Sequence, residues 1–260
     1  FHNHILPDVD DGPKTIDESL EMLRYAEKQG ITDIVNTVHF QHPKMEGRNV
    51  EHSFLKTKVQ ELQDILDRER INIKIHLSAE VFYFPNLAQI SNNPLLTFGN
   101  DRYMLIEFQS NIYPIGYEEE LFKLQNKKIT PVIAHPERYR FIKNDLSIMK
   151  KWIDRGYVIQ VDAGSILGFF GRQTQEIINE MIKENFIHII GSDAHNSKKR
   201  NFCLKQSYEK IEKVTSGDYI LYLKNNVKKM LSGYEINIFC GKNKNKNNNV
   251  INIVKKIFKL

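Results

Sequence analysis

The sequence contains very little cysteine and no long hydrophobic run. Cys203 and Cys240 are the only cysteines among 260 residues, which argues against a disulfide framework and favours a reducing compartment. No stretch approaches the ~20 apolar residues that a membrane-spanning helix needs. The chain opens on Phe1-His2-Asn3-His4 rather than on a signal peptide. We therefore expect a cytoplasmic protein, and we expect strand residues to precede Phe1 in the natural chain.

Motifs for covalent catalysis and for nucleotide binding are also missing. A cysteine-dependent phosphatase has a C-x5-R loop, but Glu209 follows Cys203 at that spacing and Lys246 follows Cys240. The sequence contains neither a G-x-x-x-x-G-K-[ST] phosphate loop nor a G-x-S-x-G nucleophile elbow. These absences exclude the common thiol, serine and P-loop mechanisms.

The net charge of +5 comes from the C-terminal end of the chain. The last 20 residues, Gly241 to Leu260, contain six lysines and no acidic residue. Without them, the chain has 31 basic and 32 acidic residues, so its body is close to neutral. A nucleic-acid enzyme more often has its basic excess around the active site. We therefore expect no nucleic-acid partner.

Apolar β-branched segments alternate with amphipathic helical segments. Strand-like runs include 34–38, 103–106 and 131–134, while residues 16–30 and 51–70 have apolar residues at helical spacing. This alternation is typical of parallel βαβ units. Counting one strand before His2, about seven strands are present, which predicts an α/β fold with a distorted seven-stranded (β/α) barrel. We assign residues 1–240 to this barrel and 241–260 to a basic Lys/Asn-rich tail.

Histidines and carboxylates follow the predicted strands, as they do where a barrel builds a site at the mouth of its strands. In a strand, residues i and i+2 point to the same side, so His2 and His4 can share an ion. Asp193 and His195 repeat this spacing. A set of His, Asp and Glu without Cys suits Mn, Fe or Zn rather than a closed structural zinc site. No site role is assigned to the remaining histidines, which are His42, His52, His76 and His188.

Four further motifs narrow the interpretation. They are Asp10-Asp11-Gly12, Leu105-Ile106-Glu107-Phe108, Ala134-His135-Pro136-Glu137-Arg138 and Ser192-Asp193-Ala194-His195-Asn196. Together with the His2-Asn3-His4 opening, they resemble the PHP superfamily (polymerase and histidinol phosphatase). Within it, they are similar to the manganese-dependent protein-tyrosine phosphatases of capsule and exopolysaccharide loci, the CpsB/CapC type. The resemblance runs from His2 to about Met230 and implies a PHP-type barrel.

The resemblance also implies a set of site residues. The family's metal ligands fall on His2, His4, Asp11, His39, Glu80, Glu107, His135, Asp193 and His195. This set implies three divalent ions, with Mn favoured and Fe or Zn as alternatives. Arg138 and Arg200 match positions where the family uses arginine at the phosphate. Two positions depart from the family pattern: Val38 stands where proline is common, and Asp162 adds a carboxylate to the predicted turn at 161–165, which could alter metal preference or substrate fit.

The activity that the resemblance implies is hydrolysis of phosphotyrosine. We expect direct attack by metal-activated hydroxide, without a covalent phosphoenzyme. The expected substrate is the phosphotyrosine tail of a membrane-bound bacterial tyrosine kinase for polysaccharide export. Two alternatives remain open. One is another PHP-type activity, such as a histidinol-phosphate phosphatase or a nuclease; the other is a non-catalytic regulator that binds kinase tails.

The tail suggests a position for the protein in the cell. Val250, Val254, Ile257 and Phe258 fall on one helical face, and lysines lie on the opposite face. A basic amphipathic helix suits an anionic membrane surface. This pattern predicts peripheral contact with the inner face of the membrane, with packing on the barrel or on a second subunit as the alternative.

Overall fold

Strands and helices alternate along residues 1–238, the part of the chain that this computed structural model describes. The predicted tail and Cys240 lie outside the described residues. The elements, in chain order, are α1 Ile16–Lys28, β1 Asp33–Phe40, α2 His52–Glu69, β2 Lys74–Phe82, β3 Tyr103–Glu107, α3 Tyr117–Asn126, β4 Thr130–Ala134, α4 Arg140–Asn144, α5 Ser147–Asp154, β5 Val158–Asp162, α6 Ala163–Leu167, α7 Arg172–Lys183, β6 Ile189–Gly191, α8 Leu204–Glu212 and α9 Gly217–Leu231.

The six strands form one sheet in the order β1-β2-β3-β4-β5-β6. All neighbouring strands run parallel, so the predicted α/β fold with βαβ units is confirmed. The register aligns the strand ends, because His39 pairs with Glu80 and Phe82 pairs with Glu107. Side chains that follow different strands are thereby brought to one edge of the sheet.

The N-terminal segment lies between the two edge strands, β1 and β6. Asn3 forms single parallel bridges with Asn36 and with Ala194. Thr37 N donates to Asn3 O at 2.8 Å, and His4 N donates to Ala194 O at 2.9 Å. The predicted seventh strand is not confirmed, since this segment makes isolated bridges and the described residues form a six-stranded sheet. One physical reason is the backbone of His2, whose φ of 54° interrupts an extended conformation.

Two apolar cores lie on opposite faces of the sheet. Leu105 and Val132 belong to a smaller core, whereas their neighbours Ile106 and Ile133 belong to a larger core that includes the apolar faces of the helices. Side chains alternate between the faces of a strand, so Glu107 lies on the same face as Leu105. The smaller core therefore fills the inner face below the strand ends. No helix among residues 1–238 has the length and apolar content to cross a membrane.

Candidate metal centre

The nine residues predicted as metal ligands form one continuous cluster at the carboxyl ends of the strands. Their donor atoms include three groups, and within each group all donor atoms lie within 4.8 Å of one another. The groups are His4, Asp11, His39 and His195; His2, His4, Glu80 and Asp193; and His39, Glu80 and Glu107. His4, His39 and Glu80 each belong to two groups, which joins all three. His135 completes the set, because its Nε2 lies 2.8 Å from Glu80 Oε1 and 3.8 Å from Glu107 Oε1.

The chemistry of this pocket fits metal ions. Nε2 of His2 and His4, Nδ1 of His39 and Oε2 of Glu107 are buried and make no hydrogen bond. A buried polar atom without a partner costs ~1–3 kcal/mol, and metal coordination would remove that cost. Imidazole and carboxylate donors without thiolate suit divalent Mn, Fe or Zn.

Hydrogen bonds to neighbouring groups orient three of the imidazoles. Nδ1 of His2 donates to Gln160 Oε1 at 2.7 Å, and Nδ1 of His4 donates to Asp10 Oδ2 at 2.7 Å. Nδ1 of His195 lies 2.9 Å from the carbonyl oxygen of Asp193. Each bond occupies one ring nitrogen and leaves Nε2 for the pocket, as in known metal sites.

The sequence analysis assigned no role to Gln160 or Asp10. A signal for Gln160 was present, since it is a polar residue inside the buried strand Val158–Asp162. Asp10 adjoins the predicted ligand Asp11, but only the structure shows that Asp10 contacts His4. Asp10 lies beneath the cluster, where burial opposes its ionisation but the His4 contact prevails and lowers its pKa to about 2.

Three of the ligand candidates have a left-handed backbone. The φ angles are 54° for His2, 30° for His135 and 45° for Asp193. Residues other than glycine rarely adopt this conformation, and each instance costs ~1–3 kcal/mol. Such strain is concentrated at functional sites because the surrounding structure must hold it. The left-handed backbone at His135 and Asp193 directs the side chains that follow β4 and β6 towards the pocket.

The ionisation of the cluster indicates a shortage of positive charge. Burial opposes ionisation of Glu80, but His2 and a hydrogen bond from His135 hold its pKa well below the usual range. Burial and the charge of Glu80 raise the pKa of Glu107 well above its usual range. Burial and nearby Arg138 lower the pKa of His135 to about 4, so its imidazole is neutral at pH 7. A neutral imidazole and crowded carboxylates are what divalent cations bind.

The two predicted phosphate-binding arginines meet at one carboxylate beside this cluster. Arg138 Nη1 donates to Asp193 Oδ2 at 2.5 Å, and Arg200 Nη2 donates to the same oxygen at 2.7 Å. The side chains of Arg138 and Arg200 are 25% and 35% exposed. Both arginine side chains therefore border the donor cluster and remain partly exposed to solvent.

Asp162 lies at the start of a short helix rather than in a turn. Residues 163–167 form helix α6, and Asp162 is its N-cap, accepting a hydrogen bond from Gly164 N at 2.7 Å. Its other oxygen accepts from Arg138 Nη1 at 3.2 Å. Asp162 does not belong to the three donor groups. It holds Arg138 in place, while burial and the charge of Asp193 raise its pKa to about 8.

One histidine that was left without a role lies at the edge of the cluster. His42 Nε2 is 3.7 Å from Glu107 Oε2, and its ring centroid is 4.7 Å from that of His39. Burial and the neighbouring His39 lower its pKa. Its position in a loop three residues after His39 provided no periodic pattern that could reveal this.

Known proteins match nearly the whole described chain. The family described as capsular polysaccharide synthesis, CpsB/CapC, matches residues 1–232. A putative tyrosine-protein phosphatase CapC of Staphylococcus aureus is 36% identical over 80% of this chain and 81% of its own length. The tyrosine-protein phosphatase YwqE of Bacillus subtilis is 32% identical over 91% of this chain and 92% of its own.

A solved structure is similar to this chain over nearly its whole length. It comes from work on YwqE of Bacillus subtilis and CpsB of Streptococcus pneumoniae, which are described as unique metal-dependent tyrosine phosphatases. It superposes with a TM-score of 0.87 at 32% identity and covers 93% of this chain and 97% of that one. The resemblance expected from the motifs is confirmed, and the chain belongs to the CpsB/CapC family.

Proposed function

We propose that this chain is a metal-dependent tyrosine-protein phosphatase that acts on a tyrosine kinase of polysaccharide export, on the cytoplasmic side of the membrane. The observation that supports this most directly is the buried donor cluster bordered by two accessible arginines. Relatives named as tyrosine-protein phosphatases align with 80% and 91% of the chain. The family's description as capsular polysaccharide synthesis supports a kinase of that process as the partner.

The three donor groups would hold three divalent ions, with manganese favoured over iron or zinc. Each group offers three or four ligand atoms, and His135 adds a further donor beside Glu80. Bound ions of this kind activate water and stabilise the charge of a phosphoryl group. The four carboxylates of the predicted set, which are Asp11, Glu80, Glu107 and Asp193, would offset part of the positive charge of the ions.

Arg138 and Arg200 would bind the phosphate. A guanidinium group presents a rigid fork of donors that matches phosphate oxygens. One carboxylate oxygen of Asp193 orients both guanidinium groups, and Asp162 forms a second ion pair with Arg138. The ring of Phe170 lies 4.9 Å from the Arg138 guanidinium carbon and restricts its movement further. Preorganised donors of this kind stabilise the charge that develops during phosphoryl transfer.

The nucleophile in this proposal is water. It loses a proton to solvent, and its oxygen forms a bond to phosphorus while the bond from phosphorus to the tyrosine oxygen breaks. The departing phenolate takes a proton from solvent. A phenol with pKa ~10 leaves more easily than an alcohol, so a dedicated general acid is not needed. Burial and the charge of Asp162 raise the pKa of the Cys203 thiol to about 12. Since only a thiolate attacks efficiently, Cys203 is unsuited to be the nucleophile.

Metal dependence tests this proposal. We expect exhaustive chelation to abolish hydrolysis of an aryl phosphate, and manganese to restore it better than magnesium or calcium. Elemental analysis of the chelated and restored protein would report the number of bound ions. Full activity in a protein shown to be free of metal would refute the proposal.

A substrate comparison separates the proposal from its alternatives. A phosphotyrosine peptide, histidinol phosphate and an oligonucleotide would be assayed side by side with manganese. We expect turnover of the peptide to exceed that of the other two substrates. Preferred turnover of histidinol phosphate or of the oligonucleotide would favour another PHP-type activity. Binding of a kinase tail with no turnover would favour a non-catalytic regulator.

We also propose that residues 241–260, which lie outside the described residues, bind the membrane surface. Six lysines, no acidic residue and an apolar helical face support this role. Deletion of residues 241–260 is expected to leave aryl-phosphate turnover unchanged and to weaken binding to vesicles that contain anionic lipid. Equal vesicle binding by the truncated and full-length proteins would refute it.

A further inference from the structure

A continuous cleft leads away from the two arginines towards helix α1. Its inner part is a cavity of about 190 Å³ that reaches Asp193 and Arg200. Its outer part is a cavity of about 600 Å³ against the exposed face of α1. Phe169, Lys199, Asn201 and Cys203 line both parts, so the two cavities are contiguous. A chain whose phosphorylated side chain reached the arginines could continue along this cleft.

The outer part of the cleft is basic. Lys28, Lys198 and Lys199 line it, and none of them has a carboxylate partner among residues 1–238. Arg24 also lines it but already pairs with Glu69, which lies outside the cleft. Glu21 is the one carboxylate among the described residues that line the outer part. We call the surface of Lys28, Lys198 and Lys199 the basic cleft.

A rigid turn connects two of these lysines to the metal centre. Oδ1 of Asn196 accepts hydrogen bonds from the backbone amides of Lys198, Lys199 and Arg200 at 3.1, 2.9 and 3.2 Å. His195 N donates to Arg200 O at 2.7 Å and closes the base of the turn. The turn thus begins at a predicted metal ligand and ends at a predicted phosphate ligand. The backbone of the two lysines is thereby held in a fixed position relative to the site.

We propose that the basic cleft binds acidic side chains that flank the phosphotyrosine of the substrate, an inference that rests on the proposed function. The body of the protein is near neutral, so three unpaired lysines beside the reaction site are a local feature. Concave surfaces of one charge attract ligands of the opposite charge. The exposed ring of Phe169, 64% accessible, adds an apolar wall against which a peptide can lie.

Three phosphotyrosine peptides of equal length test this proposal with the manganese-loaded full chain. One has neutral flanks, one has two glutamates before the phosphotyrosine, and one has two glutamates after it. Two exposed ion pairs are expected to raise kcat/KM for one of the acidic peptides about three- to tenfold over the neutral peptide. The gain should appear in KM and should shrink in high salt, which screens exposed charges.

Reversing the charge of two cleft lysines tests whether a preference for acidic peptides arises from the basic cleft. The double variant Lys28→Glu, Lys198→Glu should bring the ratio of kcat/KM for acidic and neutral peptides to one or below. The matched control is Lys128→Glu, an exposed lysine in the turn before β4, at the opposite end of the strands. It should retain the wild-type ratio. Because the ratio of kcat/KM for acidic and neutral peptides is taken within one variant, a change in the chemical step affects both values equally and cancels.

Two results would overturn this assignment of the cleft. One is equal kcat/KM of the wild-type protein for all three peptides. The other is a preference that survives in the double variant. Failure to hydrolyse any of the peptides would instead refute the proposed function, and the role of the cleft with it.

Discussion

Replacement of Asp10 by asparagine tests whether groups behind the ligands hold the metal centre in place. Asp10 is 3% exposed. Its Oδ2 accepts from His4 Nδ1 at 2.7 Å and from His39 N at 3.2 Å, while Oδ1 accepts from Gly12 N at 3.0 Å. Asparagine has the same shape but only one acceptor oxygen. Its amide group must therefore face a donor on one of the two sides, and the negative charge beside His4 is lost in either orientation.

The expected effect is large enough to measure in a metal titration. Loss of such an outer partner typically lowers metal affinity or activity 10- to 100-fold, which corresponds to ~1.4–2.8 kcal/mol. We expect the manganese concentration for half-maximal aryl-phosphate turnover to rise by that factor in Asp10→Asn. Metal content, measured by elemental analysis at each concentration, should follow the same shift.

The matched control for this experiment is Asp8→Asn, two residues away. The Asp8 side chain is 74% exposed and pairs with Arg48 at 3.3 Å, away from the donor groups. Asparagine tolerates its positive φ of 56°. This variant should titrate like the wild-type protein. Identical titrations for Asp10→Asn and Asp8→Asn would refute the view that the Asp10 carboxylate supports His4 as a metal ligand.

Three further variants test other parts of the site. Arg138→Ala should retain its metal and lose about 10- to 150-fold in kcat/KM, the equivalent of one charge-assisted hydrogen bond of ~1.5–3 kcal/mol; wild-type kinetics would make Arg138 a surface residue. A Cβ at Gly191 would clash with the Gln160 amide and lie 2.9 Å from Cβ of His2, so Gly191→Ala should displace Gln160 from His2 and weaken manganese binding. Unchanged binding would show that His2 does not need this bond. Cys203→Ser should remain active, and loss of activity in a folded Cys203→Ser protein would revive a thiol mechanism.

Much of the fold was predictable because its periodic patterns are local. Helical spacing predicted 16–30 and 51–70, and the helices span Ile16–Lys28 and His52–Glu69. The predicted ligands converge for a general reason, since the carboxyl ends of neighbouring parallel strands lie side by side. The register of His39 with Glu80 is one instance. Correct prediction of the strands therefore brings the metal-donor residues together, even when no contact between their side chains is known.

The groups that support the ligands were not predictable, because they depend on long-range contacts. Gln160 bonds to His2 across 158 positions of sequence, and no local pattern links the two. The short helix at Ala163–Leu167 contains glycine and begins inside the predicted turn at 161–165, where propensity does not favour a helix. The predicted seventh strand is not confirmed, because the positive φ of His2 interrupts the extended backbone.

The position of residues 1–4 between β1 and the segment after β6 has a consequence for the synthesis of the protein. Asn3 contacts Asn36 early in the chain, but its second partner, Ala194, is made about 190 positions later. Contacts that are distant in sequence form late, since their loop-closure entropy must first be offset. A nascent chain on the ribosome therefore lacks a complete pocket until His195 has emerged. Shorter chains have no intact site, so they should have no hydrolytic activity towards phosphorylated proteins near the ribosome.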